Sequence, residues 1–239
     1  MNYEDYARQE CLKWQRKMLK PSSLFSQKAK GIQNTINKKI PQKVHNIITE
    51  SIKKMVQAVL YGSKWTTNRQ PLKDAALHER EDKVRQKIKV YKRIAAAEGA
   101  GTGAGGFWLG MADFPALLSI KFKFLFDVAT LYGFDVNDYR ERLYILHIFQ
   151  VAFSSDDKRN EVFNKLKNWE ITLEDYPSEH THMKQLDWQA FQQEYRDYID
   201  LAKLLQLVPG IGAVVGLVAN YRFLDSLGNT AMNASRMPS

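Results

Sequence analysis

The sequence predicts an all-α protein: a multi-helix bundle with two glycine-rich apolar helices packed together and no substantial sheet. Three observations carry that expectation. Apolar residues recur every three or four positions along most of the chain. Alternating strand patterns and hairpin turns are missing, and two long apolar segments, charge-free but for Asp113 in the first, hold most of the glycine.

The elements follow in order. Over residues 2–20, Tyr3, Tyr6, Ala7, Cys11, Trp14 and Met18 make one face of an amphipathic helix that Pro21 ends. Residues 22–40 are polar and lysine-rich, with Leu24, Phe25, Ile32 and Ile36 as sparse apolar contacts, and Pro41 closes them. Residues 42–61 repeat the helical period through Val44, Ile48, Ile52, Met55, Val59 and Leu60, with Gly62 at a C-cap position. Pro71 opens a further helix whose body, 79–98, alternates cations with Val84, Ile88, Tyr91 and Ile94.

Beyond the first glycine run, residues 117–132 are strongly apolar and Gly133 is a stop signal. Asn137 is expected to cap a helix over 138–153, with Asp138 and Glu141 in the first turn. Ser155, Asp156 and Asp157 play that part for a helix ending near Trp169. The acidic stretch 170–187 contains Pro177 and reads as the main loop. Residues 187–207 are helical again, and Pro209-Gly210 breaks or kinks them before a last helix reaching about Ala234.

With 239 residues, 44% hydrophobic and 26% charged, the chain is expected to form one helical domain over 1–239. Its 1–98 part is a basic half and its 99–239 part a glycine-rich core. The basic half holds 22 Lys and Arg against 9 Asp and Glu, a net of +13; the rest has 13 against 17, a net of −4. Such a dipolar chain is expected to orient on a polyanion, through Lys83, Arg85, Lys87, Lys89, Lys92 and Arg93. The competing reading is that lysines merely solvate long exposed helices. Nucleic acid is not the expected partner, because no basic zipper, zinc finger or comparable module is present. The single Cys11 suits a reducing compartment, and the polar first ten residues give no signal peptide, so a cytoplasmic location is expected.

Recognisable catalytic sets are missing. Gly101-Thr-Gly-Ala-Gly-Gly106 matches G-x-G-x-x-G, but a helical, charged segment precedes it instead of a buried strand. No phosphate-loop lysine follows. His180 and His182, near Glu179 and Asp175, diverge if helical and lack a metal-site spacing. No nucleophile-elbow motif occurs; Cys11 reads as a packing residue and His147 as a hydrogen-bonded core histidine. No cofactor and no metal are expected.

The glycines make a different pattern. Gly99, Gly103, Gly106, Gly110 and Asp113 are 4, 3, 4 and 3 residues apart, one stripe if the run is helical. Gly212, Gly216 and Asn220 continue the logic on the second segment, 204–221, with Arg222 at its end. Small residues at this spacing let two backbones approach, which offsets the roughly 1 kcal/mol that glycine costs in a helix. A mobile hinge is the alternative. Residues 99–120 would be about 33 Å long as a helix, near a bilayer's hydrocarbon thickness, but Asp113 and Pro115 argue against a span. A buried helical pair in a domain that docks on a membrane is expected. Asp113 should then pair with Asn220, Tyr221 or Arg222, or mark a helix N-cap before Phe114-Pro115.

The run from Glu98 to Leu118, EGAGTGAGGFWLGMADFPALL, resembles the signature of the EcsC protein family. So do Leu131-Tyr-Gly-Phe-Asp135, Glu141-Arg-Leu-Tyr-Ile-Leu-His-Ile-Phe-Gln150, the 208–222 stretch VPGIGAVVGLVANYR and Thr230-Ala-Met-Asn-Ala234. The resemblance implies a bacterial protein often encoded beside the ATPase and membrane subunits of an ABC-type transporter. It implies no particular reaction. The expected role is a non-enzymatic accessory at the cytoplasmic face of the cell membrane, touching anionic lipid or a transporter subunit. The competing expectation is a hydrolase-like enzyme with a polar pocket near Asp113 and His147.

Overall fold

Eight helices are found among the described residues of the computed structural model, and only an isolated antiparallel bridge between Ser154 and Ile199 accompanies them. The described residues are 2–20, 41–61, 71–72, 74–103, 111–155, 158–176, 195, 197, 199–200 and 213–237, with backbone alone for 96–103 and 213–220. The expectations for 22–40, for the Gly62 cap, for His180 and His182 and for most of 187–212 lie outside them.

Helix α1 (Tyr3–Leu19) opens on a reciprocal capping box: Asn2 Oδ1 accepts from the Asp5 amide at 2.8 Å, and Asp5 returns the bond to the Asn2 amide. Ala7, Cys11, Trp14 and Met18 are buried, whereas Tyr6 is exposed, contrary to its place in the expected face. Helix α2 (Gln42–Tyr61) buries all six apolar positions that its period marks. Its end is held by Arg142, whose guanidinium donates to the carbonyls of Leu60 at 3.1 Å and Asn137 at 2.6 Å. Burial pulls the Arg142 pKa down despite the nearby carboxylates Asp138 and Asp135.

Helix α3 (Leu77–Gly103) begins later than Pro71 suggested; Leu72 instead donates its amide to the Thr130 carbonyl. Helix α4 (Phe114–Tyr132) carries proline in its first turn and ends at Gly133, whose φ of 97° is the left-handed C-cap conformation that glycine adopts without strain. Helix α5 (Tyr139–Phe153) is capped by Asp138 and not by Asn137. Asn137 is taken up one residue earlier, where both its amides donate to Asp135 Oδ1. Helices α6 (Arg159–Lys167) and α7 (Trp169–Glu174) are separated at Asn168, so residues 170–174 are helix where a loop was expected. Helix α8 (Ala213–Ser235) closes the fold.

The most extensive helix–helix contact among the described residues joins α3 to α8, followed by α3 with α4. Helix α2 covers α4 and α5, while α1 lies across α6, α8 and α3. One hydrophobic cluster runs from Trp14 on α1 to Ala234 on α8, so the basic and glycine-rich halves share a core. Tilted and stacked phenylalanines, Phe122–Phe149–Phe153–Phe223, form its aromatic spine.

Candidate functional site

The register of α3 decides what its six candidate cations can do. Leu77, Glu81, Val84, Ile88, Tyr91 and Ala95, spaced by fours and threes, form the inward stripe. Glu81 is therefore a carboxylate at a core position, with 0% of its surface exposed. Arg236 grips it with two bonds, Nε to Oε1 at 2.7 Å and Nη2 to Oε2 at 2.6 Å. The Tyr132 hydroxyl donates at 3.0 Å and the Tyr3 hydroxyl at 2.5 Å, while Arg85 Nη2 donates to both Tyr3 and Glu81.

Burial alone would push the Glu81 carboxyl up. The hydrogen bonds from Arg236 and Tyr3, the Arg236 charge and the Tyr132 bond outweigh it and hold the group below its ordinary range. Burial and the Glu81 carboxylate push the Tyr3 and Tyr132 hydroxyls up, so both remain donors. The first and last helices are thus tied to one buried charge.

Two further candidate cations are engaged inside. Lys87 Nζ donates at 2.9 Å to the buried Asp127, whose same oxygen accepts from Tyr91. Lys92 is buried, pairs with Asp225 and stands 3.7 Å from the Tyr221 ring centroid, joining α3 to α8. Lys83, Lys89 and Arg93 are exposed. At 100° per residue they share an outward arc about 140° wide with Val90 and Ile94. Those two apolar side chains are 48% and 40% exposed, so Ile94 is not the core position its spacing suggested. Ala95 occupies that stripe. From 83 to 97 the helix has no acidic residue, and α8 sets exposed Tyr221 beside Lys92.

The described part of the stripe does not run through Asp113 as one helix. Gly99 and Gly103 are in the last turns of α3, whereas Asp113 is a turn residue at the N-cap position of α4. The run therefore cannot be a single helix from 99 to 120. Asp113 is half-buried and makes no side-chain cap bond, and Tyr221 and Arg222 are exposed. Gly216 and Asn220 lie on α8, the helix packed most extensively against α3. Gly106, Gly110 and Gly212 are outside the described residues. No helix among the described residues is long and apolar enough to cross a membrane.

His147 is buried, with Nδ1 2.9 Å from the Leu143 carbonyl, Nε2 3.3 Å from the Tyr176 hydroxyl and its ring edge-on to Trp169. It is a packed core histidine. Cys11 is likewise buried, its thiol 3.4 Å from the Asn233 carbonyl.

Three positions escaped the sequence reading. Glu81 was legible as an acid on an apolar stripe. Arg236, 155 residues away from its partner, had no such signal. Gly228 lies outside the glycine-rich segments, yet a Cβ there would meet Ile88 Cδ1 at 2.7 Å and Cγ1 at 2.9 Å. Among the described residues, it is a glycine at which α8 closely approaches α3.

Residues 5–237 match the EcsC protein family. The chain is 48% identical over 223 residues to "Protein EcsC" of Bacillus subtilis (strain 168), an alignment covering 93% of this chain and 90% of that protein. It is 31% identical over 138 residues to "Uncharacterized protein YdbA" of the same organism, covering 58% of this chain and 50% of that one. No solved structure matches. The chain belongs to the EcsC protein family.

Proposed function

We propose that this EcsC-family chain is a non-enzymatic accessory protein that docks reversibly on the cytoplasmic face of a bacterial membrane, in the service of an ABC-type transporter. The observation that carries the reading is the outward arc of α3. Lys83, Lys89 and Arg93 are exposed on it beside exposed Val90 and Ile94, with no acid from 83 to 97, although the exposed acids Glu79 and Asp82 stand on the same side at its start. Each Lys or Arg at an anionic leaflet contributes about 1 kcal/mol, and two small apolar side chains add partial insertion. That sum favours peripheral, salt-sensitive attachment. The transporter link rests on the family resemblance alone. Neither Asp113, half-buried at a helix start, nor the packed His147 supports the hydrolase alternative.

Fractionation of cells expressing the full chain tests the reading. The protein is expected in the membrane pellet at low salt and in the supernatant after a high-salt wash. Recovery entirely in the low-salt supernatant, or retention after carbonate extraction, contradicts it.

A further inference from the structure

Three helices reach the same end of the bundle, and the residues they pair fix how far each extends. Between α3 and α4, Glu81 meets Tyr132, Lys87 meets Asp127 and Tyr91 meets Phe124, so the paired residue numbers add to about 214 and the helices run antiparallel. Between α3 and α8, Glu81 meets Arg236, Ile88 meets Gly228 and Lys92 meets Asp225, an antiparallel register adding to about 317. Helix α8 also touches α4. Residues 95–103 of α3 therefore lie level with about 111–119 of α4 and about 214–222 of α8. The described parts of both apolar, glycine-rich segments thus share one end of the bundle.

Cations from all three helices stand at the base of that end. Arg93 is exposed on α3; exposed Lys123 of α4 is level with about residue 91, and exposed Arg222 of α8 with about residue 95. Four residues span about 6 Å of helix axis, so the three form one tier. Tyr221, 50% exposed and set against Lys92, belongs to the same tier.

Beyond the tier the chemistry changes. Residues 96–103, 111–119 and 213–220 contain two charged residues, Glu98 and Asp113. Ala112, Pro115 and Ala116 are exposed there. From residue 95 to Gly103 the end is about 12 Å deep, close to the 5–10 Å that an interfacial element enters a bilayer. Two acids keep the seat shallow, and no described helix is long and apolar enough for a span.

We propose that this end seats on an anionic lipid bilayer, with the three helices end-on to the surface. The apolar helix tips enter the headgroup region, Arg93, Lys123 and Arg222 meet lipid phosphates, and Tyr221 lies at the level where interfacial aromatics gather. The inference rests on the peripheral docking proposed above and assigns its orientation. It also divides the outer arc of α3. Lys89 and Arg93 reach the phosphates, whereas Lys83 stands about 15 Å behind Arg93 and acts by long-range attraction.

Two environment-sensitive NBD labels on the full chain test this. One is attached at Ala116→Cys, in the end itself. The other is attached at Gln86→Cys, exposed in the middle of the outer arc and about 18 Å behind Ala116 along the bundle. Labelling of the folded chain should spare Cys11, which is buried. With phosphatidylglycerol vesicles at low salt, the Ala116 label is expected to shift to the blue and brighten several-fold, while the Gln86 label stays as in water. The Lys123→Gln/Arg222→Gln variant, which leaves α3 intact, should melt like the wild type and bind these vesicles about ten- to thirty-fold more weakly. A Gln86 response as strong as that of Ala116 would mean that the chain lies along α3, and overturns the proposal. So does an unchanged Ala116 label on a chain that pellets with the vesicles, or a folded double variant that binds like the wild type. Those three results leave peripheral docking standing; a wild-type chain that never pellets overturns both.

Discussion

On the inner side of α3, Arg85, Lys87 and Lys92 are engaged with Glu81, Asp127 and Asp225, and through them with α4 and α8. On the outer side, Lys83, Lys89 and Arg93 face water beside Val90 and Ile94. The residues are of one kind and lie within a single helix, yet the inner set sustains the fold and the outer set is available to a partner. A formal charge count therefore overstates the surface potential. Half of the cations grouped together in the sequence are neutralised at close range.

The sharpest way to break this contrast is to remove the inner clamp. Arg236→Met leaves the fully buried Glu81 without its bidentate partner and should cost about 3–5 kcal/mol in a urea melt. The double variant Glu81→Met/Arg236→Met should recover part of that loss, since no buried charge is left behind. A single variant as stable as the wild type would show that the clamp is not structural.

Acid probes the same clamp. The folded Glu81 carboxyl lies below its ordinary range, so its stabilisation is complete above the unfolded value of about 4.3 and is lost as pH falls through the lower folded value. Denaturation midpoints measured from pH 6 to pH 3 should decline over that window. The decline attributable to this group should vanish in the double variant.

Smaller in expected effect is the α3–α8 seam. Gly228→Leu inserts volume where even a Cβ meets Ile88 at 2.7 Å, and should destabilise by about 1–3 kcal/mol. The smallest stability change belongs to the outer arc. Lys83→Gln, Lys89→Gln and Arg93→Gln combined should leave the melting temperature where it is, because all three side chains are exposed.

Much of the fold was legible because burial imposes a period. Every apolar position marked in α2 is buried, and Gly133 stops α4 in the conformation that glycine signals. What was not legible follows from geometry that a one-dimensional pattern does not carry. Glycines spaced by fours and threes fit one helix or two alike, so the turn at Asp113 left no trace beyond Pro115, which a first helical turn accommodates. The break at Asn168 rests on one residue's backbone angles. Glu81 could have been found on the helical wheel; its partner Arg236 could not, because it follows the last helix and is set by tertiary packing. The same holds for the candidate site: the six cations were grouped by composition, and only the register of α3 separates them.

Vesicle co-sedimentation tests membrane docking through the outer arc of α3, comparing the wild-type chain with the Lys83→Gln/Lys89→Gln/Arg93→Gln variant on phosphatidylglycerol and phosphatidylcholine vesicles at low and high salt. The wild type is expected to pellet with the anionic vesicles at low salt only, and the folded triple variant to stay in the supernatant. Equal pelleting of both proteins, or equal pelleting with anionic and neutral vesicles, would contradict it.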